Sequence, residues 1–140
     1  MFILIVGAGR VGSSVAKKAL AAGNTVSVLD EDPLSHERLE QGSSESWEDR
    51  GGRFTVGTAL EADALEEAGI AEADVFIAST NGDNTNLVIA QLAQKQYEVK
   101  RVIARVLDPG RANWYAEQGL ETICPTQQAI EMLEQAALSQ

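Results

Sequence analysis

Apolar residues in this chain come in short blocks, and polar residues separate the blocks at two different periods. Runs over residues 2–6, 25–29, 53–56, 74–79, 102–106 and 122–123 are short, rich in Val, Ile and Phe, and bounded by turn residues. Runs of that kind read as strands of a buried parallel sheet. Between them lie stretches with helical spacing. The first covers 10–22, with Val11, Val15, Ala16 and Leu20 as its inner face and Gly23-Asn24 as its stop. A short helix opens at Pro33 and runs to about Glu40. Further helices are expected over 62–68 (stopped by Gly69), 83–96, 111–118 (stopped by Gly119) and from Pro125 to about Leu138. Strand and helix in alternation predict an α/β, Rossmann-like doubly wound fold: a mainly parallel six-stranded sheet with helices on both faces. Residues 1–124 form the expected core and 125–140 a C-terminal helix, within one domain and without internal repeat.

One segment breaks the pattern. Residues 41–52, QGSSESWEDRGG, are polar, rich in Gly and Ser, and aperiodic, which reads as a mobile loop. Trp47 inside it is expected to be a local anchor.

The strongest chemical signal is Gly7-Ala8-Gly9-Arg10-Val11-Gly12, which follows the first strand and opens the first helix. Gly7 permits the tight turn, Gly9 lets a pyrophosphate approach the backbone, and Gly12 lets helix and strand pack closely. The helix N-terminus then offers free N–H groups to the phosphate. Asp30 lies 23 residues after Gly7 and ends the second strand, where a carboxylate accepts hydrogen bonds from the ribose diol. With Glu31 beside it, that charge repels a 2′-phosphate, so NADP is disfavoured while NAD(H), ATP, ADP and AMP all fit. Arg10 is either a bidentate phosphate ligand or a solvated residue at the helix start.

Composition narrows the partners. In 140 residues, 11 Lys and Arg face 21 Asp and Glu, a formal charge of −10. A basic footprint for nucleic acid or anionic lipid is missing. The one cysteine, Cys124, forms no intrachain disulfide and suits a reducing compartment; between Ile123 and Pro125 it reads as buried packing. No apolar run approaches a membrane span, and residues 1–6 lead straight into the glycine turn, which reads as a strand rather than a signal peptide. The expected location is cytoplasmic. The one histidine, His36, lies in a charged stretch and is expected to face solvent; neither a catalytic triad nor a zinc site is suggested.

An ordered set of segments resembles a known family. The Gly-x-Gly-Arg-Val-Gly turn, the strand ending in Asp30, Ala68-Gly69-Ile70 before Ala73-Asp74, the run Thr80-Asn81-Gly82-Asp83-Asn84-Thr85-Asn86 and Ile103-Ala104-Arg105-Val106 occur in the order found in TrkA N-terminal, or RCK (regulator of potassium conductance), domains. The resemblance implies a regulatory, non-catalytic unit of a potassium transporter or channel that binds NAD(H) or ATP, ADP or AMP and assembles as homodimers or rings. It is expected at the inner face of the cell membrane, attached through that partner without inserting. It also implies that Thr80, Asn81 and Asp83 lie beside the nucleotide and that Arg105 reaches toward a phosphate, including one in a neighbouring subunit. One departure stands out. The family's Gly-Asp-Ala-Thr after the third strand is Gly57-Thr58-Ala59-Leu60 here. Thr58 and Ala59 thus take the positions next to the adenosine without the carboxylate. Many family members also carry a further ligand-sensing subdomain after the nucleotide domain.

The last helix resembles the crossover helix of family dimers, with Ile130, Leu133 and Ala137 as its apolar face; packing on its own domain is the other reading. Trp114 and Tyr115 are equally core or partner surface. Two other functions remain in competition: the nucleotide domain of an NAD-dependent oxidoreductase, which requires a substrate domain and a proton-transfer residue, and that of another cation transporter or fusion protein.

Overall fold

The computed structural model describes residues 1–139. Its elements are β1 (Phe2–Val6), α1 (Arg10–Ala21), β2 (Thr25–Asp30), α2 (Ser35–Glu40), β3 (Arg53–Val56), α3 (Ala62–Glu67), a single 3-10 turn (Ile70–Glu72), β4 (Val75–Ala78), α4 (Asp83–Lys95), β5 (Arg101–Arg105), α5 (Pro109–Glu117), β6 (Glu121–Ile123) and α6 (Pro125–Leu138). The six strands form one sheet in the order β3-β2-β1-β4-β5-β6. Every pairing is parallel, so the mainly parallel expectation holds for the whole sheet. The chain starts at the centre, winds out through β2 and β3, then crosses back to β4. This is the doubly wound order, with the reversal between β1 and β4.

Alternation along the strands divides the core in two. Ile3 and Ile5 of β1 join Val26 and Val28 of β2 under Ala16 of α1, Leu39 of α2 and Trp47. Leu4, Val6, Leu29 and Phe76 face the other side, beneath residues of α3, α4 and α5. The second half of the sheet is covered on one face only. Ile77 of β4 and Ile103 of β5 pair in register and reach the α1-side cluster, yet both remain part-exposed. Ile123 of β6, in register with Arg105, is 42% exposed.

Several expectations need correction. Helix α1 buries Gly12, Ser13 and Ala16, whereas Val11 and Val15 are exposed. The cause is close approach: a Cβ on Gly12 would come within 1.8 Å of the Gly7 carbonyl oxygen. The ridge of small residues must therefore face the sheet, and the valines turn outward. Pro33 precedes α2 instead of opening it, because Asp32 accepts from the Leu34 amide and makes a turn first. Helix α5 starts two residues earlier than expected, with Asp108 capping the Arg111 amide and Pro109 in its first turn.

Residues 41–52 are not a free loop. Trp47 is fully buried; its backbone N–H donates to Glu40 (2.8 Å) and its indole N–H to the Arg53 carbonyl (2.9 Å). Gly52 is required there, since a Cβ would sit 2.2 Å from the indole. Helix α6 buries none of its residues, so it stands off the domain rather than packing on it. Cys124 is half-buried; its sulfur accepts from the Gln127 amide and caps α6. Trp114 is 55% exposed, whereas Tyr115 is half-buried against the core.

Candidate functional site

The carboxyl ends of β1, β2, β3 and β4 open into a cavity of about 460 Å³. It sits at the switch point of the sheet, where an open α/β fold leaves room for a ligand. The floor is the glycine turn. Gly7 has φ +99°, and a side chain there would strike the Ser79 backbone at 2.7 Å, so the turn needs glycine twice over. Ser79 reinforces the corner, donating its hydroxyl to the Val6 and Gly7 carbonyls. Gly9 is the N-cap of α1 and brings no capping side chain. A Cβ on Gly9 would meet nothing within 4 Å. The first-turn amides of α1 are thus open beside a cradle that only a missing side chain provides, the arrangement that suits an anionic group.

The wall beyond is acidic. Asp30 closes β2, and its two oxygens are held apart by the backbone: Oδ2 accepts from the Ala8 amide at 2.6 Å, Oδ1 from the Asp32 amide at 2.8 Å. Each carboxylate oxygen has a second lone pair, so a diol still finds acceptors there. Glu31 and Asp32 line the same wall. Arg38 of α2 is the one cationic side chain among the lining residues; its guanidinium donates to the Ala8 carbonyl (3.3 Å) and to the Ser35 hydroxyl (3.1 Å). The opposite rim is Gly57 to Leu60, with Thr58 donating no charge and Ala59 buried in the core beneath.

Of the residues singled out from the sequence, Gly7, Gly9, Asp30, Glu31, Thr58, Ala59, Thr80 and Asn81 line this cavity. The others lie outside the lining. Ala8 is buried and serves through its backbone, bridging Asp30 and Arg38. Gly12 sits under the turn, and Arg10 and Val11 are exposed on α1. Asp83 turns its carboxylate away, accepting from the amides of Leu107 (2.7 Å) and Asp108 (3.0 Å), and so ties α4 to the start of α5. Arg105 donates to the Thr80 carbonyl at 3.4 Å and stands behind the cavity, its Nε buried without a partner.

Sequence reasoning assigned no role to Ser35, Arg38, Asp32, Leu60, Ser79, Gly82 or Thr85, all of which line the cavity. Ser35 and Arg38 carried a signal: they stand three apart on the helix that follows the ribose carboxylate, hence on one side of it. Asn86 was also missed as a fastener. Nearly fully buried, it accepts from the Thr80 amide and hydroxyl and donates to the Thr80 and Arg105 carbonyls, which fixes the corner carrying Thr80 and Asn81.

His36 is part-exposed and paired with carboxylates rather than free in solvent. Its Nε2 lies 2.5 and 2.8 Å from the two Glu48 oxygens, and its Nδ1 lies 3.6 Å from Glu40. At the far edge of the sheet, the Arg101 guanidinium hydrogen-bonds Glu121 and holds its carboxyl below the ordinary carboxylate range.

The chain is 44% identical over 123 residues to the Trk system potassium uptake protein TrkA of Streptomyces coelicolor, an alignment that covers 88% of this chain and 52% of that one. The chain spans about half the length of the first curated relatives it matches. Among solved structures, the Shewanella denitrificans Kef C-terminal domain in its AMP-bound form superposes with a TM-score of 0.78 at 27% identity, over 99% of this chain and 80% of that one. The TrkA-N domain of the Escherichia coli inner membrane protein YbaL superposes at 0.80, over 99% and 96%, with 21% identity, and shares the fold. The TrkA-N domain model matches residues 3–126, nearly the whole of the described core, and the chain belongs to the TrkA-N domain family.

Proposed function

We propose that this chain is the regulatory nucleotide-binding unit of a potassium uptake or channel system. In this reading an adenine nucleotide, NAD(H) or one of ATP, ADP and AMP, occupies the cavity and sets the arrangement of two or more copies. That arrangement is passed to a membrane potassium transport protein from the cytoplasmic side. The observation that carries the reading is the pairing of the open glycine cradle at Gly9 with the Asp30 carboxylate at one cavity.

The residues divide the work as follows. Amides at the start of α1 take the phosphates, and Asp30 takes the ribose hydroxyls while keeping its bonds to Ala8 and Asp32. Asp30, Glu31 and Asp32 outnumber Arg38, so a 2′-phosphate is repelled and NADP is disfavoured. Thr58 and Ala59 hold the adenosine through shape and backbone, and Thr80 and Asn81 close the phosphate side. Arg10 and Arg105, outside the lining, reach a bound phosphate only by swinging in, within this chain or from a neighbouring copy. No catalytic step is assigned to the chain.

Two apolar surfaces support assembly. One is α6, where Ile130, Met132, Leu133 and Leu138 are all exposed; the other is the half-covered sheet face at Ile77, Ile103 and Ile123. A second copy that covers either buries apolar area worth about 25 cal/mol per Å². No described helix is long and apolar enough to cross a membrane.

The decisive experiment is calorimetry of the protein with NADH, NAD, ATP, ADP and AMP, using Asp30→Ala as the comparison. Micromolar binding of one nucleotide, weakened at least about tenfold (1.4 kcal/mol) in the variant, supports the reading and names the signal. Absence of binding for all five, or equal binding by Asp30→Ala, overturns it.

A further inference from the structure

We infer that His36, Glu40 and Glu48 form a binding site for one divalent transition-metal ion. The three side chains place ligand atoms within 4.8 Å of one another. His36 and Glu40 stand one turn apart on α2, which puts them on one side of the helix. Glu48 arrives from the turn that follows Trp47. Zinc–nitrogen and zinc–oxygen bonds are about 2.0–2.2 Å, so the ligands of one ion stand about 3.3 Å apart. The ring gives an ion one nitrogen: Nδ1 stands 3.6 Å from Glu40 Oε1, close to that spacing, while Nε2 is held by the two Glu48 oxygens, so Glu48 has to leave Nε2 and swing to the Nδ1 side to complete the site. Glu48, the most exposed of the three, is the adjustable member.

Three features make this a frame and not a chance meeting of surface charges. First, Glu40 is already oriented. Its Oε2 accepts the Trp47 amide, which leaves Oε1 turned to the imidazole. Second, the turn bearing Glu48 is pinned one residue away by the fully buried Trp47, whose indole N–H is bonded to the Arg53 carbonyl. Third, the imidazole ring rests edge-on against Phe54, with centroids 5.2 Å apart.

The charges also ask for a cation. Two carboxylates surround one imidazole. The neighbouring guanidiniums are engaged elsewhere: Arg38 with the Ala8 carbonyl and the Ser35 hydroxyl, Arg50 with the Leu39 and Ser46 carbonyls. One imidazole with two carboxylates selects the class of ion. Calcium and magnesium take oxygen ligands, whereas zinc and its neighbours accept the mixed set and complete their shells with water. An ion here fastens α2 to the turn after it, on the side away from Ser35 and Arg38, which line the nucleotide cavity.

The probe is zinc alone, titrated into the full chain. One equivalent is expected to bind, with His36→Gln and Glu48→Gln each lowering affinity at least about tenfold. Cys124→Ser, which removes the one thiol, is expected to bind as the parent does. His36 is the one histidine, so a long-range proton–nitrogen spectrum reads the coordinated ring nitrogen directly. Circular dichroism checks that each variant folds, and half-exposed Glu48 keeps the test standing if His36→Gln does not. The inference is overturned if zinc fails to bind below about 100 micromolar (5.5 kcal/mol), if binding survives both His36→Gln and Glu48→Gln, or if Cys124→Ser abolishes it.

Discussion

The Asp30 carboxylate accepts the Ala8 amide at 2.6 Å, so the residue that closes β2 also holds the glycine turn that follows β1. Ala8 is fully buried, and its amide loses its acceptor when the carboxylate is removed. Asp30→Ala is therefore expected to cost about 1–3 kcal/mol of stability, the penalty of a buried unsatisfied donor, besides weakening nucleotide binding. Asp30→Asn keeps one acceptor and should recover part of the stability. Denaturant unfolding of the two variants separates the effects; equal stability of Asp30→Ala and the parent would show that the bond to Ala8 carries little.

Gly9 and Gly12 belong to one motif but are expected to fail differently. A Cβ on Gly12 would lie 1.8 Å from the Gly7 oxygen, so Gly12→Ala is expected to lose about 3 kcal/mol, the upper end of overpacking penalties. A Cβ on Gly9 meets nothing, and its backbone angles are open to any residue. Gly9→Ala should thus fold with a loss under about 1 kcal/mol, reflecting only the poorer cap, while its methyl group fills the phosphate approach and cuts nucleotide affinity at least about tenfold (1.4 kcal/mol). Thermal unfolding with and without nucleotide distinguishes the two.

Trp47 sets the order of residues 41–52. Truncation to Ala removes a fully buried indole, the Arg53 hydrogen bond and the anchor of the following turn. A loss of about 3–5 kcal/mol is expected, as for other buried aromatics. Amide exchange across 43–52 should accelerate more than that of β1. Uniform acceleration would instead make Trp47 part of the global core.

Arg101 and Glu121 stand on the neighbouring strands β5 and β6, exposed, joined by two hydrogen bonds. The bond from Arg101 lowers the Glu121 carboxyl from its usual 4.5. A group depressed in the folded state stabilises above its unfolded pKa, and that contribution disappears as pH falls through the folded value. NMR titration should place the Glu121 midpoint below 4.5, and Arg101→Met should return it. Added salt should act in the same direction as the substitution, because the pair is exposed.

What the sequence made legible were the features encoded locally. Strand runs and the glycine turn depend on neighbours in the chain, and they lie where periodicity and spacing put them. The inner face of α1 did not follow from its valines, because backbone contact at Gly12 outranks side-chain hydrophobicity. Trp47 sits in a segment without periodicity, and its burial depends on Glu40 and Arg53, which no local pattern connects. Arg38 and the contacts of Asp83 are hidden for the same reason. Asp83 accepts from the Leu107 and Asp108 amides, 24 and 25 residues further along the chain. Arg38 looked like one charge among many on a short helix, yet α2 turns it over the Ala8 carbonyl.

Helix α6 offers the sharpest test of assembly. Leu133 is 70% exposed and touches no core of its own chain, since α6 buries nothing. Leu133→Asp is therefore expected to leave the unfolding free energy of the isolated domain within about 0.5 kcal/mol of the parent, as for surface substitutions. If a second copy covers this helix, the same charge enters a dry interface and dissociates it. Sedimentation velocity at several concentrations should then show dimer for the parent and monomer for Leu133→Asp, with apparent stability rising with concentration in the parent alone. An Ile123→Asp variant tells which surface is used: loss of dimer in both places α6 against the half-covered sheet, and loss in Leu133→Asp alone places α6 against α6. A parent that is monomeric at tens of micromolar removes self-assembly through this helix.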